Sequence, residues 1–325
     1  MPLVALTSPI APAAVALLEG AGLRVALPPM RGPEGFYAVC AEADALIVRL
    51  PLPRDLLDRS PKLRLVARAG VGYDFIPVDR ATALGIPVTN VPGGNAVSVA
   101  EHVIAQMMVA SRRLETADRT FRTEGWKKAI AAWDQAVELS DRTLGIVGLG
   151  AIGRHLARIA GLGFGMRVLG MRRSAGALPE GVEAADLGRV FSESDFVVLA
   201  CPLTEETRGL ASAEMMGRMK PDAWLINVAR GGVLDEAALL RLLHEGRIGG
   251  AALDVMNEEP PPRDSPLFDA PNLLLTPHWA GMTPASVERT NLAAAEEVLR
   301  VMRGERPVNV VNPEVWEHAR DMTGA

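Results

Sequence analysis

Residues 143–153 read TLGIVGLGAIG, and this stretch decides the fold. Its first five residues form a short apolar run typical of a buried β-strand. Gly148, Gly150 and Gly153 follow at the spacing G-x-G-x-x-G. The first glycine permits a tight turn, the second lets backbone approach a pyrophosphate, and the third lets a helix pack on the strand. The N–H groups that open this helix then face the phosphates. The stretch therefore favours a dinucleotide-binding strand–turn–helix unit over a plain structural turn.

The same alternation of short apolar runs and helical stretches extends in both directions from this turn. Each run is bounded by Gly, Pro or Asp, which is the pattern of a parallel sheet with helices between its strands. The predicted strands are LVAL, RVAL, DALIV, RLVAR and IPVTN before the turn, and LGIVG, RVLGM, DFVVLA, AWLINV, AALDV and NLLLT from the turn onwards. An Ala- and Met-rich helix from about Val97 to Glu115 separates the two series, and a last helix runs from about Pro284 to Arg303.

We therefore predict an α/β protein made of two doubly wound parallel-sheet domains, Rossmann-like and flavodoxin-like, with a cleft between them. Residues 97–289 form the dinucleotide-binding domain. The last helix has no strand of its own to follow, so we expect it to return to the first domain. That substrate domain is then discontinuous and consists of residues 1–96 plus 290–325.

Composition excludes several classes of function. With a net charge of −5, the chain lacks the excess of basic residues that binding to nucleic acid requires. Two cysteines argue against a disulfide scaffold and suit a reducing cytoplasm. The apolar N-terminus lacks a positive segment and is broken by Ser8, Pro9 and Pro12, so we expect no signal peptide. The sequence has no uninterrupted run of about 18 apolar residues, so we expect no membrane span. We expect no metal site. The helix after Val97 is apolar on more than one face, which predicts burial in its own domain or a homodimer through residues 97–118.

The second strand after the glycine turn predicts the cofactor. An acidic residue about 20 positions after the turn commonly binds the ribose hydroxyls of NAD. This chain instead has Arg172, Arg173 and Ser174 after the strand RVLGM. Two guanidinium groups and a hydroxyl suit a 2′-phosphate, so NADP(H) is preferred and NAD(H) is possible. The alternative is a pair of solvated surface arginines.

Several motifs in order resemble the D-isomer-specific 2-hydroxyacid dehydrogenase family over nearly the whole chain. They are RAGVGYD (68–74), NAVSVAEHV (95–103), GLGAIGR (148–154), CPLTEETRGL (201–210), NVARGGVLDEAAL (227–239), ALDVMNEEP (252–260) and TPHWAG (276–281). The resemblance implies an oxidoreductase that interconverts a 2-keto acid and the D-2-hydroxy acid with a nicotinamide cofactor.

The resemblance also implies that Arg230, Glu259 and His278 form the catalytic set. Reduction of a keto acid needs a cation for the carboxylate and a proton donor for the nascent alkoxide. Arg230 and His278 each follow a predicted strand, at the sheet edge where such folds bind ligands. Glu259 could hydrogen-bond the imidazole and orient it. Taken singly, these residues could be a surface ion pair and an ordinary acidic loop. The other histidines, His102, His155, His244 and His318, are assigned to structure or solvent.

Further site residues are carried over from the family. Val71 and Gly72 match the loop whose N–H groups hold the substrate carboxylate, and Asp254 faces the nicotinamide. The cofactor contacts are Val103, Gly148, Gly150, Ala151, Ile152, Gly153, Arg172, Arg173, Ser174, Cys201, Pro202, Thr207, Val228, Ala229, Arg230, Asp254, His278, Ala280 and Gly281. A nucleophilic role for Cys201 is the rival interpretation, but no His/Cys pairing is indicated.

The substrate is predicted less sharply than the reaction. Arg49 and Arg68 match arginines that hold phosphate in phosphoglycerate dehydrogenases, but they could equally form salt bridges within the first domain. With NADPH as the favoured cofactor, a small keto acid such as glyoxylate or hydroxypyruvate fits better. A D-3-phosphoglycerate dehydrogenase-like activity and a catalytically idle, corepressor-like dinucleotide sensor are the alternatives. Trp279 and Tyr73 are candidate wall residues of the substrate pocket.

Overall fold

The computed structural model describes residues 1–131, 133–172 and 177–317. The chain folds into two compact units. Unit 1 consists of Met1–Asn95 and Met282–Ala325, and unit 2 of Ala96–Gly281. Each unit has a parallel sheet with helices, so the predicted fold class of two parallel-sheet α/β domains is confirmed.

Short strands and helices alternate along both units. The strands are β1 Leu3–Leu6, β2 Arg24–Ala26, β3 Ala45–Val48, β4 Leu65–Arg68, β5 Val88–Thr89, β6 Thr143–Val147, β7 Arg167–Met171, β8 Val182–Ala184, β9 Phe196–Leu199, β10 Trp224–Asn227, β11 Gly250–Leu253 and β12 Leu273–Leu275. The α-helices are α1 Pro12–Gly20, α2 Pro33–Cys40, α3 Val78–Ala83, α4 Ala96–Ser111, α5 Leu114–Glu124, α6 Trp126–Ile130, α7 Ala151–Arg158, α8 Leu187–Glu193, α9 Ala213–Gly217, α10 Glu236–His244 and α11 Pro284–Met302. A π-helical turn (Ile159–Gly163) and 3-10 turns at Trp133–Gln135, Gly231–Val233, Pro266–Asp269 and Pro313–Glu317 complete them.

Unit 1 is built on a parallel sheet of order β2-β1-β3-β4-β5. Its central strands are apolar along their whole length because helices cover both faces of the sheet. Helix α11 packs beside α1 on one face, and Ala294, Ala295 and Val298 are buried there. The predicted boundary at residues 289 and 290 falls inside α11, whereas the two units divide ahead of this helix, at Met282.

Unit 2 is built on a parallel sheet of order β12-β11-β10-β9-β6-β7-β8. Every residue of β6 is buried. The strand order reverses at β6, which lies between β9 and β7, and ligands of such sheets bind at the carboxyl ends of the strands next to this reversal. The glycine turn follows β6 directly, so the fold places it at the reversal.

Two elements differ from the sequence prediction. Strand β8 is absent from the predicted set because its three residues, VEA, carry one β-branched side chain beside a charge and are not buried. The predicted helix from Val97 to Glu115 is two helices, since Arg113 has a φ of 50° and starts α5 in a new direction. No helix in the described part of the chain is long and apolar enough to cross a membrane.

Candidate active site

Two of the three motif glycines are required by the packing of unit 2 itself. Gly148 has a φ of 105°, which favours glycine. A Cβ at Gly148 would lie 2.8 Å from backbone atoms of Ala200 and Cys201, and a Cβ at Gly153 would lie 2.2 Å from the carbonyl oxygen of Gly148. The loop after β9 and the start of α7 can therefore approach the turn only where these side chains are missing.

Gly150 meets a different requirement. A Cβ here would meet no described atom within 4 Å, so the protein's own packing leaves room for a side chain. Gly150 is the residue that caps α7, and as a glycine it offers no side chain to the N–H groups that open the helix. The space and the N–H groups fit a phosphate that approaches from outside. The residues present thus fit a dinucleotide.

The end of β7 bears on the choice of dinucleotide. Arg172 follows this strand and is partly buried, and its Nη1 donates to the carbonyl oxygen of Ala177 at 2.9 Å. Arg173 and Ser174 lie outside the described residues. The predicted preference for a 2′-phosphate therefore stays a prediction.

The loop after β9 packs against the glycine turn and is held by its own threonines. Thr207 Oγ1 donates to the Pro202 carbonyl oxygen and accepts from the Thr204 N–H, both at 2.7 Å. Cys201 is 9% exposed, and burial raises the pKa of its thiol. A raised pKa keeps the thiol protonated at neutral pH, which argues against the nucleophile interpretation.

A buried asparagine shapes the turn that carries Arg230. Asn227 ends β10 and is fully buried. Its Nδ2 donates to the Arg230 carbonyl oxygen, and its Oδ1 accepts from the Ala229 N–H, each at 3.0 Å. Arg230 leaves this turn in an extended conformation, and its Nη1 donates to the Ala229 carbonyl oxygen at 2.7 Å. Sequence reasoning missed Asn227, although its place at a strand end next to Arg230 was visible.

The backbone of Met256 joins the turn of Arg230 to the loop of Glu259. A Cβ on Gly231 would lie 2.1 Å from the Met256 carbonyl oxygen, so this glycine allows the two loops to touch. The Met256 N–H donates to Glu259 Oε1 at 3.0 Å. The carboxylate of Glu259 is thereby held at the end of β11, next to the turn that follows β10.

Glu259 and His278 form the predicted pair. Glu259 Oε2 lies 2.7 Å from His278 Nδ1, and the two side chains are 34% and 48% exposed. Because Nδ1 is engaged by the carboxylate, Nε2 is the nitrogen that can exchange a proton with a ligand. The pair has the geometry of an oriented acid–base histidine.

Asp254 holds the turn on which His278 lies. Its carboxylate is 2% exposed and accepts from the backbone N–H groups of Trp279 at 3.0 Å and Ala280 at 2.9 Å. The His278 N–H donates to the Asp254 carbonyl oxygen at 2.8 Å. His278 has a φ of 52°, an uncommon conformation for a residue with a side chain, which such contacts stabilise. The predicted contact of Asp254 with the nicotinamide stays a prediction.

The other predicted cofactor contacts in unit 2 are mostly buried apolar residues. Val228, Ala229 and Ala280 are 8%, 6% and 5% exposed, at the same strand ends as the catalytic set. Val103 has no exposed surface and packs in the core between α4 and the sheet. We therefore do not include it among the proposed cofactor contacts.

In unit 1, Arg68 organises the loop that contains Val71 and Gly72. Its Nε donates to the Gly72 carbonyl oxygen at 2.7 Å, its Nη1 donates to those of Val48 and Ala69 at 3.1 and 3.3 Å, and its guanidinium lies over the Phe75 ring. The Val71 carbonyl oxygen accepts from Asn90. Within the described residues, the N–H groups of Val71 and Gly72 have no hydrogen-bond acceptor, which fits the predicted binding of a carboxylate.

Arg49 is also engaged within unit 1. Its Nη1 donates to the Pro9 carbonyl oxygen at 2.7 Å, and its backbone N–H donates to Thr7 Oγ1 at 2.8 Å. The sequence left open whether Arg49 and Arg68 bind phosphate or form salt bridges. The hydrogen bonds described for their guanidinium groups go to backbone carbonyl groups of their own unit.

Comparisons with known proteins found a matching family model, related proteins and similar structures. Residues 104–280 match the family model described as D-isomer specific 2-hydroxyacid dehydrogenase, NAD binding domain. The chain is 44% identical over 283 residues to the glyoxylate reductase of Korarchaeum cryptofilum, which covers 84% of each chain. It is 36% identical over 317 residues to the D-3-phosphoglycerate dehydrogenase of Methanocaldococcus jannaschii, covering 95% of this chain and 59% of that protein. The crystal structure of the NADPH-dependent glyoxylate/hydroxypyruvate reductase from Sinorhizobium meliloti in complex with citrate matches with a TM-score of 0.83 at 28% identity, over 97% of this chain and 99% of that chain.

Proposed function

Because this chain belongs to the D-isomer-specific 2-hydroxyacid dehydrogenase family, we propose that it reduces a small 2-keto acid of the glyoxylate or hydroxypyruvate type to the D-2-hydroxy acid, with NADPH preferred. The observation that carries the proposal is the 2.7 Å contact between His278 Nδ1 and Glu259 Oε2, on the strand ends next to Arg230. An idle dinucleotide sensor would not need an oriented histidine, which disfavours that alternative.

When bound, a nicotinamide dinucleotide supplies the hydride that goes to the carbonyl carbon. Gly150 and the opening N–H groups of α7 would hold its pyrophosphate. The preference for NADPH rests on Arg172, Arg173 and Ser174, because none of these three residues after β7 is acidic.

The chain's own residues bind the keto acid and move one proton. In unit 1, we assign the N–H groups of Val71 and Gly72 to binding the substrate carboxylate. In unit 2, we assign the guanidinium of Arg230 to polarising the carbonyl group. Arg49 is a further predicted substrate contact. His278 Nε2 donates a proton to the carbonyl oxygen as the C–H bond forms, and Glu259 orients the ring and compensates the charge of its protonated form.

A small keto acid is favoured over 3-phosphohydroxypyruvate because of Arg68. Its Nε and Nη1 donate to carbonyl oxygens of its own loop, so using it as a phosphate ligand would release the Gly72 carbonyl group. Because the relatives include D-3-phosphoglycerate dehydrogenases, that activity is the second candidate.

We further propose a cytoplasmic homodimer that associates through residues 97–118. Both cysteines are free and buried, which suits a reducing compartment. Most buried residues of α4 lie in the core of unit 2. Leu114 is 49% exposed at the start of α5, and the other face of this helix is strongly charged. We therefore expect the dimer contact to include Leu114. Light scattering that gives the mass of a single chain would refute the dimer.

The function is tested by a panel of glyoxylate, hydroxypyruvate, pyruvate and 3-phosphohydroxypyruvate, each assayed with NADPH and with NADH. We expect kcat/KM for glyoxylate or hydroxypyruvate with NADPH to exceed the value with NADH by about tenfold. Equal efficiency with NADH would refute the cofactor preference, and a preference for the phosphorylated acid would establish the second candidate. Cofactor binding with no turnover of any keto acid would favour the sensor.

A further inference from the structure

One histidine outside the catalytic set lies close to the turn of His278. His102 is on α4, and its side chain is 18% exposed. Its Nε2 lies 3.3 Å from Thr276 Oγ1 and 4.0 Å from Asp254 Oδ1. From the sequence, His102 was assigned to structure or solvent by default, and 174 positions separate it from Thr276. In the fold the His102 ring contacts Thr276, which in turn contacts Asp254.

The hydroxyl of Thr276 determines which atom of His102 carries a proton. Thr276 Oγ1 donates to Asp254 Oδ1 at 2.6 Å. A hydroxyl has one proton, so at His102 Nε2 the same oxygen must accept. His102 therefore donates from Nε2, and its neutral form carries the proton there. Burial lowers the pKa of His102, in agreement with a neutral ring at neutral pH.

The three side chains form a chain of hydrogen bonds with one direction. It runs from His102 Nε2–H to Thr276 Oγ1, and from the Thr276 hydroxyl to Asp254 Oδ1. The carboxylate then accepts the N–H groups of Trp279 and Ala280. These N–H groups follow the left-handed residue His278, whose conformation persists only where surrounding contacts hold it.

We propose that His102 is a positioning residue for His278, acting through Thr276 and Asp254 by donating a hydrogen bond from Nε2. If this donor is lost, the Thr276 hydroxyl loses one partner and can turn away from Asp254 Oδ1, so the turn of His278 loses one of its supports. The proposal rests on the proposed function only for its activity readout.

The tautomer of His102 is a test that needs no activity. The chain has five histidines, so long-range ¹H–¹⁵N spectra of the full-length protein labelled with [¹⁵N]histidine are tractable. The signal that disappears in His102→Met identifies His102. We expect a neutral ring protonated at Nε2 at pH 7. A neutral ring protonated at Nδ1 would overturn the proposal, because Nε2 could then not donate to Thr276.

A matched pair of variants tests the consequence for catalysis. Glutamine keeps an N–H donor at about the depth of Nε2, whereas methionine has a similar length and no donor. We expect His102→Met to lower kcat for glyoxylate by about tenfold with the Kd of NADPH changed less than about twofold, and His102→Gln to recover at least about a third of the wild-type kcat.

Equal kcat values for the two variants, whether normal or impaired, would overturn the positioning role. Melting temperatures check that both variants fold. If the wild-type protein reduces no 2-keto acid, the proposed function fails. The tautomer measurement still decides whether the chain from His102 to Asp254 exists, so the two failures are distinguishable.

Discussion

In unit 1 the chain leaves β1 at Leu6 and enters α1 at Pro12, whereas in unit 2 it leaves β6 at Val147 and enters α7 at Ala151. The connection in unit 1 is filled by its own contacts. Thr7 Oγ1 accepts the N–H groups of Arg49 and Leu50, and Pro9 accepts from the Arg49 side chain. The N–H of Ala11 donates to Asn291. In unit 2 the connection is Gly148-Leu149-Gly150, and Gly150 leaves open space beside the first N–H groups of the helix.

Both connections follow a strand at which the strand order of a parallel sheet reverses, so topology alone offers two equivalent places for a phosphate. The two connections differ in which N–H groups the protein itself satisfies, and on this difference we base the proposed phosphate site in unit 2. In the proposed division of roles, Val71 and Gly72 of unit 1 bind the substrate carboxylate, and unit 2 carries the cofactor turn and the pair of Glu259 and His278. Substitutions in either unit test this division of roles.

The largest expected effect comes from the acid in unit 2. Replacement of His278 with alanine should lower kcat for glyoxylate by about 10³-fold, because the proton donor is lost while the cofactor turn is untouched. His244→Ala is the control, since His244 is exposed at the end of α10 in the same unit. Steady-state kinetics of both variants decide the matter. Retention of a tenth of the activity in His278→Ala would show that another group supplies the proton.

The next effect separates the role of Gly150 from the fold. Gly150→Ala should leave the melting temperature unchanged, because the new Cβ meets no described atom, but should weaken NADPH binding by about a hundredfold. Gly217→Ala in α9 is equally free of neighbours and should change neither. Fluorescence titration with NADPH measures the affinities. Wild-type affinity in Gly150→Ala would mean that the pyrophosphate binds elsewhere.

A smaller effect is expected from the charge next to His278. Glu259→Gln keeps the shape of the side chain but removes its charge, and kcat should fall by about tenfold. The neighbouring Glu258 is exposed, so Glu258→Gln makes the same change in charge one residue away. It should alter kcat by less than about twofold. Comparable losses in the two variants would indicate a general field effect of the acidic loop instead of a pairing with His278.

The smallest effect belongs to unit 1. Arg68→Met should raise the KM for glyoxylate by about fivefold with little change in kcat, because the loop of Val71 and Gly72 loses its brace. Arg59→Met removes an exposed arginine of the same unit, paired with Asp55, and should leave KM unchanged. If Arg68 instead held a substrate phosphate, the variant would lose turnover of 3-phosphohydroxypyruvate while its KM for glyoxylate stayed normal.

Local features of the sequence were sufficient for the fold class, and the resemblance to the family indicated the pairing of Glu259 with His278. Apolar runs predicted the positions of most strands. Gly148 and Gly153 predicted a turn, and the packing around it requires glycine at both positions. The sequence alone could not predict contacts between distant segments of the chain. The sequence showed Arg68 and His102 as polar residues in motifs, but their partners depend on how loops and helices meet: Arg68 holds carbonyl groups of its own loop, and His102 meets a residue 174 positions away.

The role of Asp254 shows the same limit in another way. The contact of this carboxylate with the nicotinamide, which the resemblance implies, stays a prediction. The sequence did not show that both carboxylate oxygens accept hydrogen bonds from Thr276 and from the backbone of the His278 turn. A motif records that a carboxylate is needed at a position. It does not record which N–H groups the carboxylate accepts.

The central claim, that this chain reduces a small 2-keto acid to the D-isomer, is tested most directly by the product formed from hydroxypyruvate and NADPH. Chiral chromatography of the product, together with the absorbance of NADPH, gives both the stoichiometry and the hand of the new centre. We predict one D-glycerate for each NADPH oxidised. Formation of L-glycerate, or no oxidation of NADPH by hydroxypyruvate or glyoxylate, would contradict the claim.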